Sequence, residues 1–418
     1  MNAFQKIDMV EATRLTREGR LEEAMAVLRG VLPSAPASAS PSDTKGGAAQ
    51  TKREASILDM VPPPPGSPGS WTAPPTGGEP CVDRPERLGP TQVPEALRDL
   101  MKRMAQSGTS AGLNGLVRPA ADRPKVPVPD GARFEERTFA NEAGSRAYKL
   151  YVPSGYTGQA LPLVVMLHGC TQSPDDFAAG TRMNDLAEEQ TFFVAYPAQT
   201  QAANMSKCWN WFSAGDQQRD RGEPSLIAGI TREIMRDFPV EPGRVYVAGL
   251  SAGGAAAAIL GATYPDLYAA VGVHSGLACG AASDMPSAFA AMKQGGPPNA
   301  GASRRPGGPV RTIVFHGDRD TTVNPVNGDQ VVAQAKAAAD LRTIVSRGAA
   351  PGGIGYTRTI QADETGWPML EQWVLHGAGH AWSGGSAAGS YTEPRGPDAS
   401  REMMRFFLEQ PTADTALG

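Results

Sequence analysis

The stretch Val245-Tyr246-Val247-Ala248-Gly249-Leu250-Ser251-Ala252-Gly253-Gly254-Ala255-Ala256-Ala257-Ala258-Ile259-Leu260 decides the reading of this chain. Its first four residues form an apolar run of strand length, and the residues after Gly253 favour a helix. Between them stands G-x-S-x-G. A serine on a sharp strand-to-helix turn takes a strained backbone conformation, so its neighbours must lack bulk. Gly249, Ala252, Gly253 and Gly254 comply. The following helix points the positive end of its dipole at the serine, where it favours a developing negative charge. Ser251 is therefore the candidate nucleophile. The competing reading is a Gly/Ala-rich helix that packs closely and does no chemistry, and it leaves the preceding strand unexplained.

A serine nucleophile needs a base, and the base needs an orienting acid; in the α/β-hydrolase arrangement they follow in the order Ser, acid, His. Downstream, Thr312-Ile313-Val314-Phe315 reads as a strand followed by His316-Gly317-Asp318-Arg319-Asp320. Asp320 is the expected acid, because it lies far enough past the strand to reach back across the site; Asp318 is the alternative. Gln372-Trp373-Val374-Leu375 then leads into His376-Gly377-Ala378-Gly379-His380-Ala381-Trp382. His380, on the glycine-rich loop, is the expected base. His376, closer to the strand, is expected to be a buried, hydrogen-bonded structural residue. The oxyanion of an acyl-transfer intermediate also requires donors. Leu163–Leu167 runs into His168-Gly169-Cys170-Thr171-Gln172, so the backbone N–H groups of Cys170 and Ala252 are the candidate oxyanion hole. His168 precedes the serine in the chain and reads as loop scaffolding.

Further strand candidates are Tyr148–Val152, Phe192–Tyr196 and Ala270–Val273, with the first expected to be antiparallel to the rest. Helix signals alternate with them: Ser173 as N-cap with Pro174 at the first helical position, Ile227, Ile230 and Ile234 along one face, and Asp398 to Leu408. Strands this apolar are expected where helices cover both faces of a mostly parallel sheet. The fold class is α/β: an α/β-hydrolase three-layer sandwich over residues 132–409. Ahead of it, residues 1–32 carry apolar positions at helical spacing broken by Gly19. They read as a helical hairpin, a docking appendage loosely like half a tetratricopeptide unit. Residues 33–131 are rich in Pro, Gly and Ser, a linker composition, with a short helix near 93–106. Residues 295–309 read as a surface loop or a mobile rim, and 410–418 as a tail.

The 418-residue chain has a net charge of −4, and its basic residues are scattered, which gives no reason to expect a nucleic-acid partner. Four cysteines without a C-x-x-C pair, together with five histidines, argue against a structural zinc site. No stretch reaches the roughly 18 apolar residues that span a bilayer. The N-terminus carries charges of both signs and no signal-peptide core, so the expectation is a soluble cytoplasmic protein.

Five separated motifs now stand in order: His168–Gln172, Cys208-Trp209-Asn210-Trp211-Phe212, Gly249–Gly254, His316–Asp320 and Gly379–Trp382. Together they resemble the polyhydroxybutyrate (PHB) depolymerase family of esterases, kin of the feruloyl and acetylxylan esterases. The resemblance covers roughly residues 130–409. It implies a triad of Ser251, Asp320 and His380, an oxyanion turn at Cys170, an acyl-enzyme route, an ester substrate, and no cofactor or metal. It also makes Cys170 and Cys208 candidates for a disulfide, unusual in a reducing cytoplasm, and raises an extracellular location as the alternative. Trp209, Trp211 and Trp382 lie beside the proposed site residues; each is either core packing or pocket lining, and Trp382 is the leading pocket candidate. Contact with a polymer granule or a protein through residues 1–32 is a further expectation. A feruloyl or acetylxylan esterase is the alternative within the class. An inert hydrolase fold used for binding is the alternative outside it.

Overall fold

A computed structural model describes residues 126–297, 310–336 and 341–409. The expected hairpin, the helix near 93–106, nearly all of the linker and of the 295–309 segment, and the tail lie outside the described residues.

The chain enters as an antiparallel hairpin, β1 (Arg133–Asn141) and β2 (Gly144–Val152). Then follow β3 (Leu161–Leu167), α1 (Pro174–Thr181), α2 (Met183–Gln190) and β4 (Phe193–Pro197). The middle of the domain is α3 (Gly222–Asp237), β5 (Val240–Leu250), α4 (Ala252–Thr263), β6 (Ala270–His274) and α5 (Met285–Gln294). It closes with β7 (Arg311–Gly317), α6 (Val326–Ala335), β8 (Arg342–Ala349), β9 (Gly355–Ala362), β10 (Pro368–Leu375) and α7 (Ala399–Leu408). Ten strands form one sheet in the order β1-β2-β4-β3-β5-β6-β7-β10-β9-β8. From β4 to β10 all neighbours are parallel, and the antiparallel pairs lie at the two ends. A second, two-stranded sheet pairs Trp382–Ser383 with Thr392–Glu393.

Alternation along the central strands sorts the core into two layers. Leu163, Val165 and Leu167 face one side, packed with Ile227, Ile230 and Ile234 of α3 and the alanines of α4. Val164 and Met166 face the other, against Phe177 of α1, Leu186 of α2 and Met403, Phe406 and Phe407 of α7. All seven residues of β3 are buried, as a strand covered on both faces requires. The expected cap is present, since Ser173 accepts from the Asp176 N–H; Asp398, read as the first residue of the last helix, instead caps α7 by accepting from the Arg401 N–H.

Three strands of the large sheet, and both short strands of the second, have no counterpart in the sequence reading. β1, β8 and β9 carry charges and alternating small polar residues instead of apolar runs. They lie at the sheet's ends, and every residue of β8 is exposed. The parallel register aligns Leu167 with Gly249, Leu250 with His274, and Gly317 with Leu375. The parallel strands therefore end at the same edge of the sheet, and the loops leaving that edge carry the motif residues.

Candidate active site

Ser251 sits between β5 and α4 at φ 58°, ψ −119°, a left-handed backbone position costly for any residue but glycine. Two close approaches make it possible. A Cβ on Gly253 would lie 2.0 Å from the Leu167 carbonyl oxygen, and one on Gly249 would lie 2.4 Å from the Gly253 backbone. Both positions need glycine because strand β3 passes directly against the turn. The Ser251 N–H donates to the His274 carbonyl at 2.9 Å, tying the turn to the neighbouring strand.

Asp320 and His380 meet. His380 Nδ1 lies 2.7 Å from Asp320 Oδ2, and both residues are buried. An ionised carboxylate only accepts, so the proton is on Nδ1 and the lone pair is on Nε2. That Nε2 is buried and has no hydrogen-bond partner among the described residues. Asp320 Oδ1 accepts the N–H groups of Thr322 and Val323, each at 2.9 Å. Burial alone would raise the Asp320 pKa. The attraction of His380 and hydrogen bonding from His316 and His380 outweigh it and hold the carboxyl well below its usual range.

The alternatives separate cleanly. Asp318 pairs instead with His376, whose Nδ1 lies 3.0 Å from Oδ2, on the surface. The expectation that His376 is buried is corrected: its side chain is 46% exposed, because the loop turns outward at Gly377 as soon as β10 ends. Its Nε2 faces Thr357 Oγ1 at 2.9 Å. His168 is scaffolding, as expected. Its Nε2 accepts from the Gln199 N–H at 3.1 Å, so its Nδ1 carries the proton and donates to the Gly169 carbonyl at 2.7 Å. Burial lowers its pKa to about 4.

At the turn after β3, the Gly169 N–H donates to Gln172 Oε1 at 2.8 Å and the Thr171 N–H to the Ser206 carbonyl at 2.7 Å. Among the described residues nothing accepts the Cys170 N–H. Ala252 opens α4, where a backbone N–H has no intrahelical acceptor. Both expected donors are thus unengaged. Cys170 and Cys208 are joined by a disulfide, which ties this turn to the tryptophan loop.

Of the two readings of the three tryptophans, their burial supports core packing and not pocket lining, Trp382 included. Trp209 is fully buried and donates from Nε1 to the His168 carbonyl; Trp382 is 1% exposed, donates to Ser400 Oγ and packs against His274 and Phe177. Trp211 is buried with Phe212 at its edge. Each ring spends its apolar area on the core and its N–H, where bonded, on an internal acceptor.

Two histidines escaped the sequence reading. His316 Nε2 contacts the Val323 carbonyl at 2.9 Å and approaches Asp320 Oδ2 at 3.4 Å, a second imidazole on the same carboxylate. His274 stacks between Phe315 and Trp382 and accepts the Ser383 N–H through Nε2. Burial lowers its pKa to about 3. His274 is the last residue of β6 and His316 the next to last of β7, and this place at a strand's C-terminal end is the sequence signal that could have found them.

A mostly parallel sheet, a serine on a glycine-flanked turn after its central strand and an Asp–His couple on later loops define an α/β-hydrolase. Residues 146–353 match the esterase PHB depolymerase family. The chain is 34% identical over 251 residues to poly(3-hydroxyalkanoate) depolymerase C of Paucimonas lemoignei, covering 58% of this chain and 60% of that one. It is 30% identical over 212 residues to a probable acetylxylan esterase A of Aspergillus clavatus, covering 47% of this chain and 68% of that one. An acetyl xylan esterase from Aspergillus awamori has the same fold, with a TM-score of 0.52 at 20% identity, over 66% of this chain and 99% of that structure. The chain belongs to the PHB depolymerase family of esterases.

Proposed function

We propose that the chain is a serine carboxylic-ester hydrolase acting on poly- or oligo(3-hydroxyalkanoates) or short-chain esters. The observation that carries this is the Asp320–His380 couple at 2.7 Å, with the far nitrogen of His380 buried and unpartnered, in a domain whose Ser251 stands on the glycine elbow. His380 Nε2 takes the Ser251 proton as Oγ attacks the ester carbonyl. The Cys170 and Ala252 N–H groups receive the oxyanion. The alcohol leaves with the proton from His380, and water then releases the acid by the same path. Among the described residues Ser251 Oγ makes no hydrogen bond; such contacts commonly tighten only when substrate binds.

The hydroxyalkanoate reading rests on the depolymerase relative, of whose length this chain spans 60%. The acetylxylan reading is favoured by the A. clavatus relative, which is covered more completely. Rates on a hydroxybutyrate oligomer, p-nitrophenyl acetate, acetylated xylan and a feruloyl ester rank them. Replacing Ser251 by Ala lowers turnover of the best substrate by about 10⁴- to 10⁶-fold; unchanged turnover sinks the mechanism. Granule contact through residues 1–32 is tested by deleting residues 1–91, which is expected to abolish association with polymer granules and spare small-ester turnover. Of the two compartments, an oxidising one fits the Cys170–Cys208 bond better than the cytoplasm.

A further inference from the structure

Glu223, the second residue of α3, is 5% exposed and plays no part in the chemistry above. Burying a carboxylate is costly, and its surroundings account for how it is held. Oε2 accepts the Asn210 N–H at 2.7 Å, while Oε1 accepts Asn210 Nδ2 at 2.9 Å and Gln199 Nε2, with Arg146 Nη2 at 3.4 Å. These three residues present four N–H donor groups, which favour the ionised form against burial, the cause that raises the Glu223 pKa.

The bonds do not stop there. Gln199 Nε2 also donates to the Cys208 carbonyl at 2.9 Å, and its backbone N–H holds His168 Nε2 at 3.1 Å. Beside Asn210, Trp209 Nε1 donates to the His168 carbonyl at 3.0 Å. The His168 ring in turn holds the Gly169 carbonyl, and Cys208 is bonded to Cys170. Two paths from Glu223, one through Gln199 and one through Asn210 and its neighbour Trp209, converge on the turn His168-Gly169-Cys170. We propose that Glu223, acting through Gln199 and Asn210, is a positioning residue that sets the direction of the Cys170 N–H for the oxyanion. The charge supplies a fixed point to which two loops, 199–212 and 168–172, are both tied. This rests on the reading of Cys170 as an oxyanion donor.

The test counts active sites first. A fluorophosphonate titrates reactive Ser251 in wild type, Glu223→Gln, Gln199→Met and the double variant. Turnover of p-nitrophenyl acetate is then expressed per titrated site, beside the affinity for a boronic acid, which mimics the tetrahedral intermediate. Glu223→Gln is expected to lower kcat per site by about 10- to 100-fold with KM changed less than about 3-fold, and to weaken the boronic acid in parallel. Gln199→Met keeps the backbone N–H to His168 and removes only the side-chain link, so a smaller loss is expected. The double variant should cost little more than Glu223→Gln alone, because the two act on one path. A fall in titratable sites with kcat per site unchanged makes Glu223 a structural residue only and overturns the proposal. If the wild type takes no label, the esterase reading fails instead.

Discussion

Two aspartates and two histidines compete for one role, and the distances decide between them. Asp320 and His380 are both buried, with Asp320 Oδ1 fixed by two backbone N–H groups; Asp318 and His376 form a similar couple in solvent. A carboxylate excluded from water holds the imidazole in one tautomer and stabilises the imidazolium that forms during the reaction, whereas an exposed pair contributes little. Asp320→Asn is therefore expected to lower kcat by about 10⁴-fold, while Asp318→Asn changes it by less than about 3-fold. Steady-state kinetics on a p-nitrophenyl ester distinguishes them, and equal effects would reverse the assignment. The sequence favoured Asp320 over Asp318 by its reach past the strand alone; nothing in it placed His316 on the same carboxylate, because that contact depends on how the loop folds back through Val323.

Among elements, the legible parts were those whose periodicity is set by burial on both faces. β3, the last half of β5, β6 and β7 read as apolar runs, and the elbow followed from the strand before Ser251 and the helix after it. β1, β8 and β9 stayed hidden because strands toward a sheet's ends need no apolar run, and each carries charged or polar residues along its length. The tryptophans, neighbours in sequence to His380 and Cys208, left core packing and pocket lining both open, and only their burial separates the two. The disulfide followed only from family likeness, since spacing cannot assign a pairing. It closes a separation of 38 residues, for which the chain-entropy argument gives about 4 kcal/mol of stability. Under denaturing conditions without reductant at most two of the four cysteines should titrate, and four with it. Reduction should lower the melting temperature by several degrees; four free thiols before reduction would rule the bond out.

For the molecule as a whole, acid sensitivity starts from its neutral histidines. Burial lowers the pKa of His168 to about 4 and that of His274 to about 3, while the unfolded chain takes up these protons near pH 6.5. Below 6.5 the unfolded state binds more protons, so stability falls as pH drops toward 4. Asp320 works lower: its depressed carboxyl contributes stability that is intact above the ordinary carboxylate range and is lost only beneath it. Between pH 7 and 5 the two histidines should each remove about 2 kcal/mol, read as a lower urea midpoint; an unchanged midpoint would mean that the rings charge in place. The outermost strand β8 carries a different consequence. Its Ile344 and Val345 are 51% and 58% exposed, and among the described residues its outer edge pairs with no strand, which makes it a template on which another sheet could grow. In the antiparallel register that sets Ile344 of one copy opposite Val345 of the other, Arg342 faces Arg347, and like charges meet across the seam. Replacing both arginines with serine, or screening them with salt, is therefore expected to bring on turbidity at a lower protein concentration than for the unaltered chain at low ionic strength, read by light scattering.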